Sequence, residues 1–320
     1  MDDRMKLGEI GEREIIEKII MGHMRSDNEF LDEDAIGIKL GQKYIIINVD
    51  TFVRSTDAPK GMDYYSMGWK TVTMTLSDVI AKGGKPISFL CSLSAMGDMD
   101  IEFIDDIFRG IENACTYYGC NLEGGDFGES NDLVITGIGV GLSEKYIPRS
   151  GARIGDSVWV TGEFSIPAVA LHYLLHNGKP IGDMDRILDM FYRPKIDPNI
   201  ALVLRKIATS AIDSSDGLAV SLNDVARLSK KEIVIEVLPI AREVYEYARI
   251  NDLDPYSLAM FCGEEFEIVF TTSKPDDIVL NAFEEQGLRK PIKIGYVSEG
   301  EGVYFDGRKI PRKGWEHFKK

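Results

Sequence analysis

The stretch Ala211-Ile212-Asp213-Ser214-Ser215-Asp216-Gly217-Leu218 brackets two hydroxyls with two carboxylates and sets a glycine directly after them. An apolar run with helical spacing follows at once: Leu218, Val220, Leu222, Val225, Ala226 and Leu228. Serine and aspartate ahead of such a run cap a helix, because their oxygens accept first-turn amide hydrogens that have no intrahelical partner. A cap needs a single oxygen, and this segment supplies several. A helix N-terminus attracts anions and aspartates attract Mg²⁺, so the same segment also suits a metal-bridged phosphate. The two readings separate on whether partner residues recur elsewhere in the chain.

The 320 residues are enough to bury a full core and to make two domains. With 52 acidic against 37 basic residues, the net charge of −15 argues against non-specific binding to nucleic acid or to an anionic membrane. No apolar run approaches the roughly 20 residues of a membrane span. The charged opening residues do not resemble a secretory signal, so cytoplasmic residence is expected. Cys91, Cys115, Cys120 and Cys262 form no CxxC pair, which points to reduced thiols. The histidines show no zinc-ligand spacing, and His172 and His176 share only the face of an ordinary amphipathic helix.

Along the chain, residues 6–21 read as an amphipathic helix that breaks before Phe30. Strands are expected at 35–40 and 44–49, the second ending in Asp50-Thr51, where an acid would point into a loop at the sheet edge. A helix over 65–82 carries Ser77-Asp78 inside an apolar, small-residue stretch. A carboxylate there costs several kcal/mol unless it is paired, metal-bound or turned to solvent. After a strand at 87–93 and a helix at 101–118, Gly124-Gly125-Asp126 reads as a turn whose amides approach a phosphate, or as a plain turn. The strand at 133–141 sets Gly137, Gly139 and Gly141 on one face, leaving room for a close backbone approach. That spacing is not a dinucleotide fingerprint.

Residues 143–155 form a polar connection, after which a strand-then-helix rhythm restarts: a strand at 157–161, then helices at 166–176, 184–191 and 199–209. Further on come a strand at 233–237, helices at 244–250 and 255–260, a strand at 268–272 and a hairpin turn at Asp306-Gly307.

Asp34, Asp50, Asp78, Asp126, Asp213 and Asp216 all fall at expected strand ends or helix starts. Gathered together they would repel one another and ATP alike. Hard divalent cations such as Mg²⁺ or Mn²⁺ would resolve that repulsion, which is the logic of metal-clamped phosphoryl transfer. No Walker A sequence and no protein-kinase motif set is present, so a nucleotide site must be of another kind.

Over nearly its whole length the chain resembles the thiamine-monophosphate kinase family, in the superfamily of aminoimidazole ribonucleotide synthetase and selenophosphate synthetase. The resemblance is carried by Leu7-Gly8-Glu9, Asn48-Val49-Asp50-Thr51, Leu76-Ser77-Asp78-Val79, Gly124-Gly125-Asp126, Arg149-Ser150-Gly151-Ala152, Asp213 to Leu218, Gly263-Glu264-Glu265-Phe266-Glu267 and Lys313-Gly314-Trp315, in that order. It implies a two-domain α/β (α+β) fold of the aminoimidazole ribonucleotide synthetase type. An N-terminal ATP- and Mg-binding domain (1–145) would pair through its sheet into a homodimer, and a C-terminal domain (146–320) would complete the site.

The implied activity is transfer of the γ-phosphoryl group of ATP to thiamine monophosphate. On the family's metal positions stand Asp34, Asn48, Val49, Asp50, Asp78, Asp126, Asp213 and Asp216, of which Asp50, Asp126, Asp213 and Asp216 would serve catalysis. Gly125, Asp126, Arg149 and Ser215 fall on its ATP contacts, and Asp57, Glu264 and Trp315 on its substrate contacts. Three positions depart from the family pattern. Glu33 stands for the first of two adjacent aspartates, Asn48-Val49 for a hydroxyl pair, and Asp57 for a histidine.

Two other readings stay open. One is a different ATP-dependent enzyme of the superfamily. The selenophosphate branch has a reactive cysteine near its start, whereas the first cysteine here is Cys91. The hydrogenase-maturation branch ends in cysteine, where this sequence reads Phe318-Lys319-Lys320. The other is a non-catalytic module that binds divalent ions or nucleotide without turnover.

Overall fold

The computed structural model describes residues 6–24, 30 and 32–318. Its strands form two sheets. The first contains β1 (Ile36–Leu40), β2 (Lys43–Val53), β3 (Lys85–Ala95), β4 (Asn121–Glu129) and β5 (Val134–Ser143), in the order β1-β2-β5-β3-β4. Only β3 and β4 run parallel; the other neighbours are antiparallel. The second sheet contains β6 (Ser157–Val160), β7 (Ser210–Asp213), β8 (Glu232–Ile235), β9 (Ile268–Thr272), β10 (Ile292–Ser298), β11 (Gly302–Phe305) and β12 (Arg308–Ile310). Its order is β12-β11-β8-β10-β6-β9-β7. Among the described residues, no helix is long and apolar enough to cross a membrane.

The helix Tyr64–Ala81 joins the two halves. It starts at Asp63, whose carboxylate accepts the Ser66 amide hydrogen at 2.7 Å. It packs on β2, β3 and β5 and on the helix Ile101–Tyr118, and it also meets β7 and the helices Met184–Tyr192 and Ile200–Ile207. Leu76, Phe89, Leu204 and Phe270 therefore belong to one continuous buried cluster that spans both sheets. A helix enclosed on so many sides must satisfy its polar side chains internally. Thr71 donates to Met67 O at 2.9 Å, Thr75 to Thr71 O at 2.8 Å, and Thr73 to Pro194 O at 3.0 Å. The glycines of β5 allow this seating. A side chain at Gly137 would collide with Thr75, and one at Gly141 with Val79. The close approach expected from those glycines is made by this helix.

Several expected elements are drawn differently. The N-terminal segment is not one helix. Gly11, at φ 82°, separates Leu7–Ile10 from Glu12–Ile15, and a wider π-turn follows before Met21–His23. Apart from Gly11, none of these residues is buried, because the segment touches the body through polar contacts and leaves Ile16, Ile19 and Ile20 exposed. The break expected before Phe30 falls partly in residues 25–29, outside the described ones.

Asp50 is not at a strand end, because β5 pairs with β2 from Tyr44 through Val53 and holds it extended past the acid. Gly124-Gly125-Asp126 is not a turn but part of β4. A side chain at Gly125 would overlap the Cys91 carbonyl oxygen, so glycine is what lets the edge strand lie against β3. The helix expected over 199–209 stops at Ile207, and Ser210–Asp213 pairs with β9 as a strand. The segment 211–218 caps nothing through its side chains. The helix Leu218–Ser229 starts after Gly217, at φ 115°, with no side-chain cap bond, so Asp213, Ser214, Ser215 and Asp216 are left for other work.

Candidate active site

Asp213 closes β7 and so sits where the second sheet meets the helix Tyr64–Ala81. Ser77 Oγ of that helix donates to Asp213 Oδ2 at 2.7 Å. The next residue, Asp78, points the same way, and Asp34 approaches from the loop that enters β1. Oxygens of Asp34, Asp78 and Asp213 all lie within 4.8 Å of one another. Asn48 of β2 donates its side-chain amide to Asp78 Oδ2 at 2.7 Å and to Thr75 O at 3.2 Å. Three acids from three separate parts of the chain thus converge at the seam between the sheets.

Cations collar one side of this group. Lys82, with no exposed side-chain surface, stands 2.8 Å from Glu33 and 3.4 Å from Asp34, and donates to Ala211 O at 3.1 Å. Arg149 Nη1 lies 2.7 Å from Asp34 Oδ1, and the Arg149 amide donates to Glu33 Oε1 at 2.9 Å. Arg149 also faces Asp32, which Arg227 holds at 2.9 Å. Burial works against the charge on Asp34, but Arg149 and Lys82 outweigh it and hold its pKa below the ordinary value.

Asp78, Asp213, Asp50 and Asp216 shift the opposite way. Burial, then the negative charges of Asp213, Asp34 and Asp50, push Asp78 well above the carboxylate range. Burial and Asp34 raise Asp213 to about 6. Burial raises Asp50 to about 7, against the hydrogen bond from the Thr51 amide and with the help of Asp213, Asp57 and Asp216. Asp216 is raised chiefly by burial, even though Arg13 Nη2 lies 3.0 Å from its Oδ2. Carboxylates that prefer to be neutral because they are buried and face other carboxylates form a site that favours an added positive charge.

The remaining expected residues are distributed around this group. Val49 points away from Asn48 and is 59% exposed, so only its backbone is on offer. Gly125 and Asp126 stand apart on the edge strand β4. Asp50, Gly137, Cys91 and Gly125 form one row across β2, β5, β3 and β4, which puts Gly125 about 14 Å from Asp50 at ordinary strand spacing. The single chain therefore does not bring Asp126 to the acids. Arg149 is not free, its guanidinium being committed to the collar. Asp57 turns back on β2, accepting the Val53 amide at 2.7 Å.

Ser215, Glu264 and Trp315 do come together. The Glu264 amide donates to Ser215 O at 2.7 Å and the Trp315 amide to Asp216 O at 3.0 Å. The Trp315 side chain is 52% exposed. Glu264 also lines a cleft of about 300 Å³ with Glu265, Arg193, Lys195 and Arg289.

Three residues matter here that the sequence reading passed over. Lys82 follows Asp78 by one helical turn in an apolar run, a signal that was readable. Lys70 is another lone base in such a run, and it pairs with Glu264. Arg13 gives no sign in the sequence, since only the fold carries the N-terminal segment to Asp216, to Trp315 O at 2.6 Å and to Glu316.

Residues 32–143 match the model of the AIR synthase related protein N-terminal domain, and residues 153–307 that of the C-terminal domain. The thiamine-monophosphate kinase of Aquifex aeolicus is 30% identical over 98% of this chain and 99% of its own. That of Pyrococcus horikoshii is 36% identical over 92% of each. The solved structure of AaThiL complexed with AMPPCP and TMP superposes with a TM-score of 0.89 at 29% identity, covering 99% of this chain and 100% of the other. The fold expected from the sequence, two AIR synthase-like halves of mixed α and β content, is therefore the fold observed. The chain belongs to the thiamine-monophosphate kinase family of AIR synthase-related proteins.

Proposed function

We propose that the chain transfers the γ-phosphoryl group of ATP to the phosphate of thiamine monophosphate, releasing ADP and thiamine diphosphate. The observation that carries this reading is the convergence of Asp34, Asp78 and Asp213 in a chain whose relatives are kinases of that name. An AaThiL structure holding AMPPCP and TMP supports it further. The donors at the centre are all carboxylate oxygens, with upward-shifted acids on two sides, a set that suits a hard divalent cation such as Mg²⁺. Asp34, Asp78 and Asp213 would hold it, joined by Asp50, Asp216, the Asn48 side chain and the Val49 backbone. Bound there, Mg²⁺ would offset negative charge on the phosphates.

The chain's own residues supply position. Gly125, Asp126, Arg149 and Ser215 would face the nucleotide, with Arg149 sharing its charge between ATP and Asp34. Asp57, Glu264 and Trp315 would hold thiamine monophosphate, the exposed indole stacking on its flat ring system. The acceptor is a phosphate monoester with a second pKa of about 6, already ionised near neutrality, so the transfer needs no general base. An oxygen of that phosphate attacks the γ-phosphorus in line while the bond to the β-phosphate oxygen breaks and ADP leaves.

We place the division between the two domains at residues 145 and 146. We also assign the functional unit to a homodimer formed through the first sheet. Ile36, Ile38, Leu40 and Val49 are exposed on that sheet, and such an apolar patch suits a second copy.

Incubation with ATP, Mg²⁺ and thiamine monophosphate should yield ADP and thiamine diphosphate in equal amounts, resolved by chromatography. Free thiamine should remain unphosphorylated, because its hydroxyl would need a general base and the acids of this site would be committed to the metal. Comparable turnover of free thiamine would overturn the substrate assignment, and nucleotide binding with no ADP release would overturn the kinase reading.

A further inference from the structure

Lys70 lies in the middle of the helix Tyr64–Ala81 with 1% of its side-chain surface exposed. A buried ammonium is costly unless it is paired, and this one has two neighbours. Its Nζ sits 4.1 Å from the centre of the Phe191 ring, and it forms an ion pair with Glu264 Oε2. The helix is enclosed on every side, so the charge it presents is fixed in place.

Glu264 is held from two directions. Its backbone is in the left-handed region at φ 74°, a conformation a glutamate keeps only where its surroundings impose it. The amide is tied to Ser215 O, and the carboxylate to Lys70. Oε2 is fully enclosed, yet 31% of the side chain is exposed, so the rest of the carboxylate is turned towards the cleft. Lys70 comes from the half built on the first sheet and Glu264 from the half built on the second. The pair therefore spans the same seam as the acids.

We propose that Lys70 is a positioning residue for acceptor recognition: it fixes the Glu264 carboxylate so that its outward edge receives the donor-bearing, partly cationic end of thiamine monophosphate. This rests on Glu264 being an acceptor contact, as proposed above. Lys70 itself touches neither substrate. Its effect runs through one carboxylate, so it belongs to acceptor binding and not to the handling of ATP.

Steady-state kinetics on the full chain test this, with KM measured for each substrate in Lys70→Met, Glu264→Gln, the double variant and Phe191→Leu. Lys70→Met should raise KM for thiamine monophosphate about tenfold, the scale of one charge-assisted hydrogen bond, and leave KM for ATP within about twofold. In the Glu264→Gln background the same change should add nothing, because the group it acts through is gone. Phe191→Leu, which keeps the charge but removes the ring beneath it, should give the same split at about threefold; it carries the test if Lys70→Met does not fold.

Multiplying effects in the double variant, or equal rises in both KM values, would overturn the inference. So would an unchanged KM for thiamine monophosphate in Lys70→Met while Glu264→Gln raises it. If Glu264→Gln itself leaves that KM unchanged, the acceptor role of Glu264 fails first and the role of Lys70 falls with it.

Discussion

Asp213 shows how one side chain can work against the fold that carries it. It sits buried at the end of β7 beside Asp78 and Asp34, with Ser77 Oγ as its hydrogen-bond donor. Replacing its carboxylate by an amide removes repulsion and little packing. Asp213→Asn should therefore raise the melting temperature of the metal-free protein while cutting kcat by about a hundredfold or more. Calorimetry on the metal-free variant, paired with initial rates at saturating Mg²⁺, checks both halves. A helix-capping role would give the reverse, about 1 kcal/mol of lost stability with activity kept. The structure already opposes that role, since the helix Leu218–Ser229 has no side-chain cap bond. Composition at 213–216 was legible in the sequence. What it was for depended on Asp34 and Asp78, which lie more than a hundred residues away.

At the scale of elements, the site depends on how closely the helix Tyr64–Ala81 seats on the first sheet. Asp78, Lys82 and Lys70 all belong to that helix or its last turn, and its distance from β5 is set by the glycine face of that strand. Gly137→Ala would put a methyl group into Thr75 and the Phe89 ring. Overpacking of this kind costs about 1–3 kcal/mol, and it would also tilt Asp78 away from Asp213. Both the urea midpoint and kcat should fall, and kcat should not recover with added Mg²⁺. Gly119→Ala, at a helix end where nothing lies within 4 Å, should leave kcat alone, though its φ of 70° will cost some stability. The strand with alternating glycines was visible in the sequence, but the helix that fills them was not. Register between the two is decided by packing, and periodicity carries no information about which neighbour fills a groove.

For the whole molecule, the raised acids couple stability to pH. Asp50 is raised from the ordinary 3.8 to about 7 and Asp213 to about 6, with Asp78 and Asp216 moved the same way, burial being the largest cause in each case. Between those values the folded chain binds more protons than the unfolded one, so stability declines as pH rises. The lowered pKa of Asp34 acts in the opposite sense, but below its ordinary value of 3.8 and so outside this window. In the absence of divalent ions, the melting temperature should fall from about pH 5 to about pH 8. Saturating Mg²⁺ at about pH 8 should restore it, because a bound cation favours the ionised acids. A melting temperature that climbs over the same range without metal would mean that the acids are not buried together in solution.

Strand and helix alternation, the apolar stripes and the family pattern of short acid- and glycine-bearing segments are local properties, and the sequence by itself determined them. The hairpin at Asp306-Gly307 is the plainest case, with both residues at positive φ between β11 and β12, because turn chemistry resides in the two residues themselves. The convergence of acids was an inference from composition; their order in space was settled only by tertiary structure. Pairing with β5 extended β2 past Asp50, and contact with Cys91 drew Gly125 into a strand where local reading expected a turn. Packing also turned Lys82 and Arg149 onto Asp34, Lys70 onto Glu264 and Arg13 onto Asp216. Charges find partners through space, and the energy of those pairings depends on burial and distance, which a linear sequence does not contain.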